Sequence, residues 1–484
     1  MTRFAQALRA RKDWGALILL IVLLLGRLGF AALVYARPEL ALANDSDRYV
    51  PIANALLSGQ ALQPNTARTG LLLNTIGYPL FLAAVFLVRG HAPGDIALAQ
   101  LLISGLLVLI LYLALARTVG TIPALISTLI LLIDPLTILW SMTVLTETLF
   151  AVTLGLGALA LTAWASSGKR LALILAGFFC GLACLVKPYA ALIVGVWVVA
   201  LFFHPRLPRG TWRISVLEGA KRALIFGLPT LLLVAPWIVR NAAIWDCPAL
   251  SSVDRVTMRD YVAAKVLSEA DHIPLDQEQS QLQASDPGVC PHESAYYFHI
   301  VLTHPAIYAK LHAAGTIPIL IGTNFDRWLQ YFGVQYALPD LWGPFVDGGV
   351  GRLLAVLGNE WLRFPQGLTL MLVLTAFQLA LYALAALGVL AFKTTTSPAM
   401  RWNIIVLSLA ILVLVLTPGQ GGNERFRVPV QPLLALLASY GLARRGLPFI
   451  RRSTSGLGGR QQDSLDHEQS WGNRVGYNDS EAWN

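Results

Sequence analysis

Residues 15–36 read GALILLIVLLLGRLGFAALVYA, and this stretch decides the solvent in which the chain folds. It is an apolar run long enough to cross a bilayer, with one charge inside it, Arg27. Arg3, Arg9, Arg11 and Lys12 precede it, and no small-residue cleavage site closes it. It therefore reads as a retained span with its N-terminus inside, not as a cleavable signal peptide. Composition points the same way. The 484 residues are 56% hydrophobic and 13% charged, with a mean hydropathy of +0.62, against about 25% charged in an ordinary soluble domain. The net charge of +9 comes from Lys and Arg placed between apolar runs, not from basic blocks interleaved with aromatics. That pattern orients spans in a membrane and argues against nucleic acid as a partner.

Working outward from the first run with the positive-inside rule gives ten spans and both termini inside. They are expected at 15–36, 96–116, 122–139, 148–164, 171–186, 189–203, 223–239, 368–392, 402–417 and 428–442. The loop before the seventh holds Arg206, Arg209, Arg213, Lys221 and Arg222, the strongest inside signal in the chain. A crossing by the apolar run 71–88 would put that loop outside. This run is therefore expected to lie in the outer interface or to be re-entrant, bending at Gly77, Tyr78 and Pro79. The expectation is an all-α polytopic membrane domain over 1–445. Its first outer loop, with interfacial helices, covers about 37–95, and a larger outer loop covers about 240–367. Within the latter, 305–364 reads as surface-lying helices or as an extra membrane hairpin. The polar tail at 446–484 is expected to be cytoplasmic and disordered.

Residues able to carry chemistry gather at the outer ends of the spans. Asp45 and Asp47 open the amphipathic segment DSDRYVPIANALLSG at 45–59. Asp45 reads as a helix cap, or as a surface carboxylate that takes a proton from an acceptor hydroxyl. Tyr49 and Tyr78 fall in the same interfacial region. Glu147 opens the fourth span, as a charge favoured by the helix dipole or as part of an acceptor site. Lys187, Arg240, Arg425 and Arg427 sit at outer ends, suited to phosphate oxygens or to interfacial anchoring. Arg27, inside the first span, is a functional charge or a snorkelling one. Cys180 and Cys184, one turn apart in an apolar run, read as packing residues. Cys247 and Cys290 share the oxidising outer loop and are a candidate disulfide. His292, His299, His304 and His312 show no diagnostic metal spacing, and a divalent metal stays an open question. No Rossmann or Walker glycine loop is present.

Six segments, in chain order, resemble the GT-C membrane glycosyltransferases, the aminoarabinose transferases and protein O-mannosyltransferase-like families above all. They are Asp45–Gly59, Asn74–Phe81, Asp134-Pro135 with Leu145–Phe150, Gly181–Pro188, Pro236–Asn241, and Glu424–Pro429 with Pro432. The resemblance implies a monosaccharide donor linked to polyprenyl phosphate and a hydroxyl acceptor on a lipid, glycan or protein. It implies a site on the outer face of the inner membrane, with Asp45 as the base and the outer-end cations on the donor phosphate. It implies no certain cofactor, although some relatives hold a divalent ion. Ser46 stands where the family often has a second acid. The competing readings are a lipid or solute transporter or flippase, and a non-catalytic envelope assembly protein. Acids clustered with arginines at the outer surface favour the enzyme, whereas polar groups at the midplane favour transport.

Overall fold

The structure is a computed structural model that describes residues 2–43, 45–59, 74–205, 212–285, 290, 295–336 and 342–444. The expected tail at 446–484, His292 and Arg206 lie outside the described residues. The described chain is helical, with no strand among those residues. The N-terminal half comprises α1 (Thr2–Leu28), α2 (Ala31–Ala36), α3 (Ser46–Leu57), α4 (Gly77–Val88), α5 (Pro93–Thr118), α6 (Thr121–Leu132), α7 (Pro135–Ser141), α8 (Glu147–Ser167), α9 (Arg170–Val186), α10 (Ala190–Leu201) and α11 (Trp212–Trp245). A subdomain follows in the loop expected to lie outside, hence the outer subdomain. It contains α12 (Val253–Val256), a π-helical segment (Thr257–Ala263), α13 (Ala264–Asp271), α14 (Leu275–Ser285), α15 (Ala295–Thr303), α16 (Pro305–Ile321), α17 (Phe325–Tyr331) and α18 (Trp342–Arg363). The chain then returns to the bundle through α19 (Pro365–Thr394), α20 (Pro398–Leu416), two 3-10 turns (Gly419–Gly421 and Glu424–Val430) and α21 (Gln431–Arg444).

Seven helical stretches among the described residues are long and apolar enough to cross a membrane: Trp14–Ala36, Pro93–Thr118, Glu147–Ser167, Ser215–Trp245, Pro365–Thr394, Pro398–Leu416 and Glu424–Arg444. An eighth candidate is the pair α6 and α7, bent by 49°. The sequence suggests one continuous span at 122–139, but the chain breaks at Asp134-Pro135. Proline has no N–H to donate and drives the preceding residue out of the helical region. Asp134 then caps α7, accepting from the Thr137 N–H at 2.9 Å. The remaining two expected spans, α9 and α10, are 17 and 12 residues long. By length and composition alone, seven of the described stretches qualify as spans, or eight with the bent pair, while α9 and α10 are shorter apolar helices. The 12 residues of α4 rise about 18 Å, too little to cross the hydrocarbon core. Its Tyr78, Leu82 and Phe86 are buried instead against the first outer loop and α5.

Small residues let the bundle close. A Cβ at Gly177 of α9 would lie 1.9 Å from the Phe226 carbonyl oxygen of α11, and Thr230 donates to the Gly177 carbonyl at 2.8 Å. A Cβ at Gly388 of α19 would lie 2.0 Å from the Leu437 carbonyl oxygen of α21. Without a hydrophobic drive between helices in lipid, such close backbone approach carries association. The antiparallel succession brings three connections to one end of the bundle: α7 to α8, α9 to α10, and α20 to α21. The first outer loop is fastened there too. Val144 N–H donates to the Ala41 carbonyl at 2.9 Å, and Ser46 Oγ donates to the Val144 carbonyl at 2.8 Å.

Candidate active site

At that end, two acids and two bases from four separate segments meet. Arg425 Nη1 lies 2.9 Å from Asp45 Oδ2, and Arg425 Nε lies 3.7 Å from Glu147 Oε1. Lys187 Nζ lies 2.8 Å from the same Glu147 oxygen. Arg48 adds a looser contact to Asp45 at 3.6 Å. The cluster grades from wet to dry. The side chains of Asp45 and Arg425 are 28% and 26% exposed, that of Lys187 is 12% exposed, and that of Glu147 is 2% exposed.

Local sequence explains each placement. Glu147 is the first residue of α8, where the helix dipole favours an acid. Lys187 follows the last turn of α9, and Pro188 after it prevents continuation. Burial pushes the Lys187 ammonium below its ordinary value, and Glu147 opposes that shift. Arg425 sits in the turn capped by Asn423, whose side chain accepts from the Arg425 N–H at 3.0 Å. Phe426 packs under both cations, its ring 5.0 Å from Lys187 Nζ and 5.2 Å from the Arg425 guanidinium. Asp45 precedes α3 but makes no side-chain cap bond, so its carboxylate is held by Arg425 rather than by the helix start.

Tyr49 stands beside these charges. Burial raises its phenol pKa, and Glu147 and Asp45 push it in the same direction. Its ring meets Tyr78 edge to face at 5.1 Å. Tyr78 in turn donates to Gln100 Oε1 at 3.1 Å. Gln100 donates to the Ser141 and Thr143 carbonyls at 3.0 and 2.7 Å, fixing the turn before Glu147. Sequence reasoning missed Gln100, Arg48 and Phe426. A lone amide inside the apolar run of α5 was the available signal for Gln100.

The other candidates lie elsewhere. Asp47 is exposed on α3 and takes no part in the cluster. Arg27 is buried within the bundle. Its Nη1 donates to the Leu132 carbonyl at 2.7 Å and its Nη2 to Ser104 Oγ at 3.0 Å. It thus satisfies the end of α6 that the Asp134-Pro135 break leaves open. Arg427 donates to the carbonyls of Ile319, Leu320 and Gly322 at 2.7, 2.8 and 2.7 Å, closing the end of α16. Both guanidiniums, expected at a phosphate, are occupied by backbone carbonyls. Arg240 is apart from the cluster, over the Trp237 ring at 4.5 Å and donating to Asn241 Oδ1 at 2.8 Å. Cys247 and Cys290 are joined by a disulfide, while Cys180 and Cys184 are buried free thiols.

Among the described residues, no three His, Cys, Asp or Glu side chains converge as metal ligands need to. His304 Nδ1 lies 3.1 Å from the Ile300 carbonyl oxygen, and His312 Nδ1 lies 3.0 Å from Tyr308 Oη. Among the described residues, these histidines do not form a metal centre.

Residues 74–239 match the family described as dolichyl-phosphate-mannose-protein mannosyltransferase. A comparison with curated proteins gives no match. Among solved structures, the chain is similar to the oligosaccharyltransferase of Archaeoglobus fulgidus in complex with zinc and sulfate. The identity is 14% and the TM-score 0.43, over 83% of this chain and 45% of that one. The archaeal oligosaccharyltransferase AglB of the same organism, in complex with an inhibitory peptide and a dolichol-phosphate, is similar at 10% identity and a TM-score of 0.42. That likeness covers 95% of this chain and 52% of the other. ArnT from Cupriavidus metallidurans bound to undecaprenyl phosphate is similar at 16% identity and a TM-score of 0.38, over 90% and 78%. The chain spans about half the length of the oligosaccharyltransferases. None of these TM-scores reaches 0.5. The matched segment 74–239 holds Glu147 and Lys187 and the motifs from Asn74 to Val239. The likeness to the dolichyl-phosphate-mannose-protein mannosyltransferase family thus covers residues 74–239 of an all-helical chain with several stretches apolar enough to cross a membrane.

Proposed function

We propose that the protein transfers a monosaccharide from a polyprenyl-phosphate donor to a hydroxyl on a lipid, glycan or protein, at the outer face of the inner membrane. The meeting of Asp45, Arg425, Glu147 and Lys187 carries this reading. It offers one part-exposed carboxylate beside two cations backed by a buried acid. The donor class is supported by the matched family, whose description names dolichyl-phosphate mannose. The outer face is supported by the sequence between 204 and 222, whose Arg206, Arg209, Arg213, Lys221 and Arg222 favour the cytoplasmic side.

In the reaction, the acceptor oxygen bonds to the anomeric carbon as Asp45 takes its proton. The bond from that carbon to the phosphate oxygen breaks, and its electron pair leaves with the polyprenyl phosphate. Arg425 and Lys187 balance the charge that grows on the leaving oxygen. An incoming phosphate competes with Asp45 for Arg425, which frees the carboxylate to act as a base. Glu147 holds both cations in register.

The test uses full-length protein in nanodiscs and undecaprenyl-phosphate donors carrying labelled mannose, glucose or aminoarabinose, with envelope lipid and glycan extracts as acceptors. Asp45→Asn is expected to lower turnover by about 10²-fold or more. Folded yield stays level, because the part-exposed pair with Arg425 contributes no more than about 1 kcal/mol. Asp47→Asn is expected to stay within a few-fold of the native rate. Native turnover in Asp45→Asn would remove Asp45 as the base, and a dead Asp47→Asn beside it would move the base two residues along.

A further inference from the structure

The turn that carries Arg425 is fastened to the outer subdomain at two places: Arg427 closes the end of α16, and Gln420 reaches the segment between α12 and α13. Residues Thr257–Ala263 form a π-helical segment between α12 and α13. Such segments loosen the regular backbone ladder and are enriched at functional sites. Here three successive carbonyls of the segment accept from side-chain amides. Gln279 Nε2 donates to Asp260 O at 2.7 Å from within the subdomain. Gln420 Nε2 donates to Tyr261 O at 2.5 Å and Val262 O at 2.8 Å, reaching across from the α20–α21 connection.

Gln420 is 6% exposed, and its backbone is rigidly seated. Gly419 has φ +55°, a conformation that glycine adopts freely. A Cβ at Gly422 would fall 1.9 Å from the Gly315 carbonyl oxygen, and one at Gly315 would fall 2.3 Å from the Gly419 carbonyl oxygen. The turn and α16 therefore touch backbone to backbone. Three residues past Gly422, Arg425 reaches Asp45 and Glu147. On the far side, the subdomain is closed by the Cys247–Cys290 disulfide, and Arg255 Nη1 donates to the Cys290 carbonyl at 2.7 Å.

We propose that Gln420 is a positioning residue that locks the π-helical segment to the 419–427 turn and so sets where Arg425 meets Asp45 and Glu147. Gln420 touches neither donor nor acceptor in this scheme. It acts through Arg425, and the proposal rests on the reading of Asp45 and Arg425 given above. The link also makes the outer subdomain a lever, since whatever moves the π-helical segment moves the arginine.

The experiment is hydrogen–deuterium exchange on the full chain in nanodiscs, comparing the native protein with Gln420→Met, which keeps the side-chain length and removes the donors. Amides in 257–266 and 419–427 are expected to exchange about tenfold faster, while α5 and α8 stay unchanged. Where methionine does not give folded protein, Gln420→Glu is the second variant. It has the same shape, no donor when ionised, and the same expected result. In transfer from undecaprenyl-phosphate mannose, kcat is expected to fall about tenfold to 10²-fold with KM nearly unchanged. In an Arg425→Gln background, the Gln420 change adds nothing. Native exchange at 419–427 overturns the link, as does a loss of kcat that is equally large without Arg425. Native turnover in Asp45→Asn would instead overturn the reading of the site while leaving the exchange result standing.

Discussion

Replacing Lys187 with methionine keeps the length of the side chain and removes its charge. Glu147, 2% exposed, is then left with one cation at 3.7 Å in place of two. At an effective dielectric of about 20, unit charges attract by about 6 kcal/mol at the 2.8 Å separation of Lys187 and Glu147. At the 3.7 Å of Arg425 the figure is about 4.5 kcal/mol. These are gross terms, set against the desolvation of three ions. Removing one partner of a buried pair costs about 3–5 kcal/mol net. Because Arg425 remains to face Glu147, the loss in Lys187→Met is expected at the low end, about 3 kcal/mol. The measurement is the midpoint of heat inactivation in detergent, followed by fluorescence-detected size exclusion. Adding Glu147→Gln to Lys187→Met removes the uncompensated charge and is expected to recover most of the midpoint, while transfer stays lost. A native midpoint in Lys187→Met would refute the reasoning, as would a double variant less stable than the single one.

Arg27→Leu is expected to lower the same midpoint, by about 1–3 kcal/mol for each α6 carbonyl left without a donor. Binding of undecaprenyl phosphate should not change, and weakened binding at native stability would restore Arg27 to the donor site. Replacing both Cys247 and Cys290 with serine opens a bridge of sequence separation 43. This is expected to cost the outer subdomain about 2–5 kcal/mol. Trypsin cleavage near Arg259 and Lys265 should accelerate accordingly, and an unchanged rate refutes the estimate. Phosphatase fused after His272 is expected to be active and phosphatase fused after Gly168 inactive, with the reverse pattern inverting the orientation.

Apolar run length and the placement of Lys and Arg made the membrane class legible, because transfer into hydrocarbon depends on local composition alone. The same reasoning failed at 122–139, where composition is continuous but Pro135 breaks the backbone. At Lys187-Pro188, by contrast, the expected turn separates α9 from α10. In the first outer loop, the amphipathic pattern located α3, and the helix-cap reading of Asp45 was a fair local expectation. The carboxylate instead turns to Arg425, 380 residues along the chain, a partner that no local pattern names.

What the sequence determined by itself was the solvent, the helical class and the six family-like segments, three of them within the family match at 74–239 and a fourth overlapping its end. What only the tertiary structure decided was which charges meet. Arg425 and Arg427 are two residues apart and chemically identical. One faces Asp45 and Glu147, and the other is taken up by carbonyls at the end of α16. Arg27 likewise answers carbonyls that exist only because a different helix breaks at Asp134. Coulomb attraction and hydrogen bonding act across space, falling off within a few ångströms. An arginine's employment is therefore fixed by the segments folded against it, and the sequence around it records only that it is an arginine.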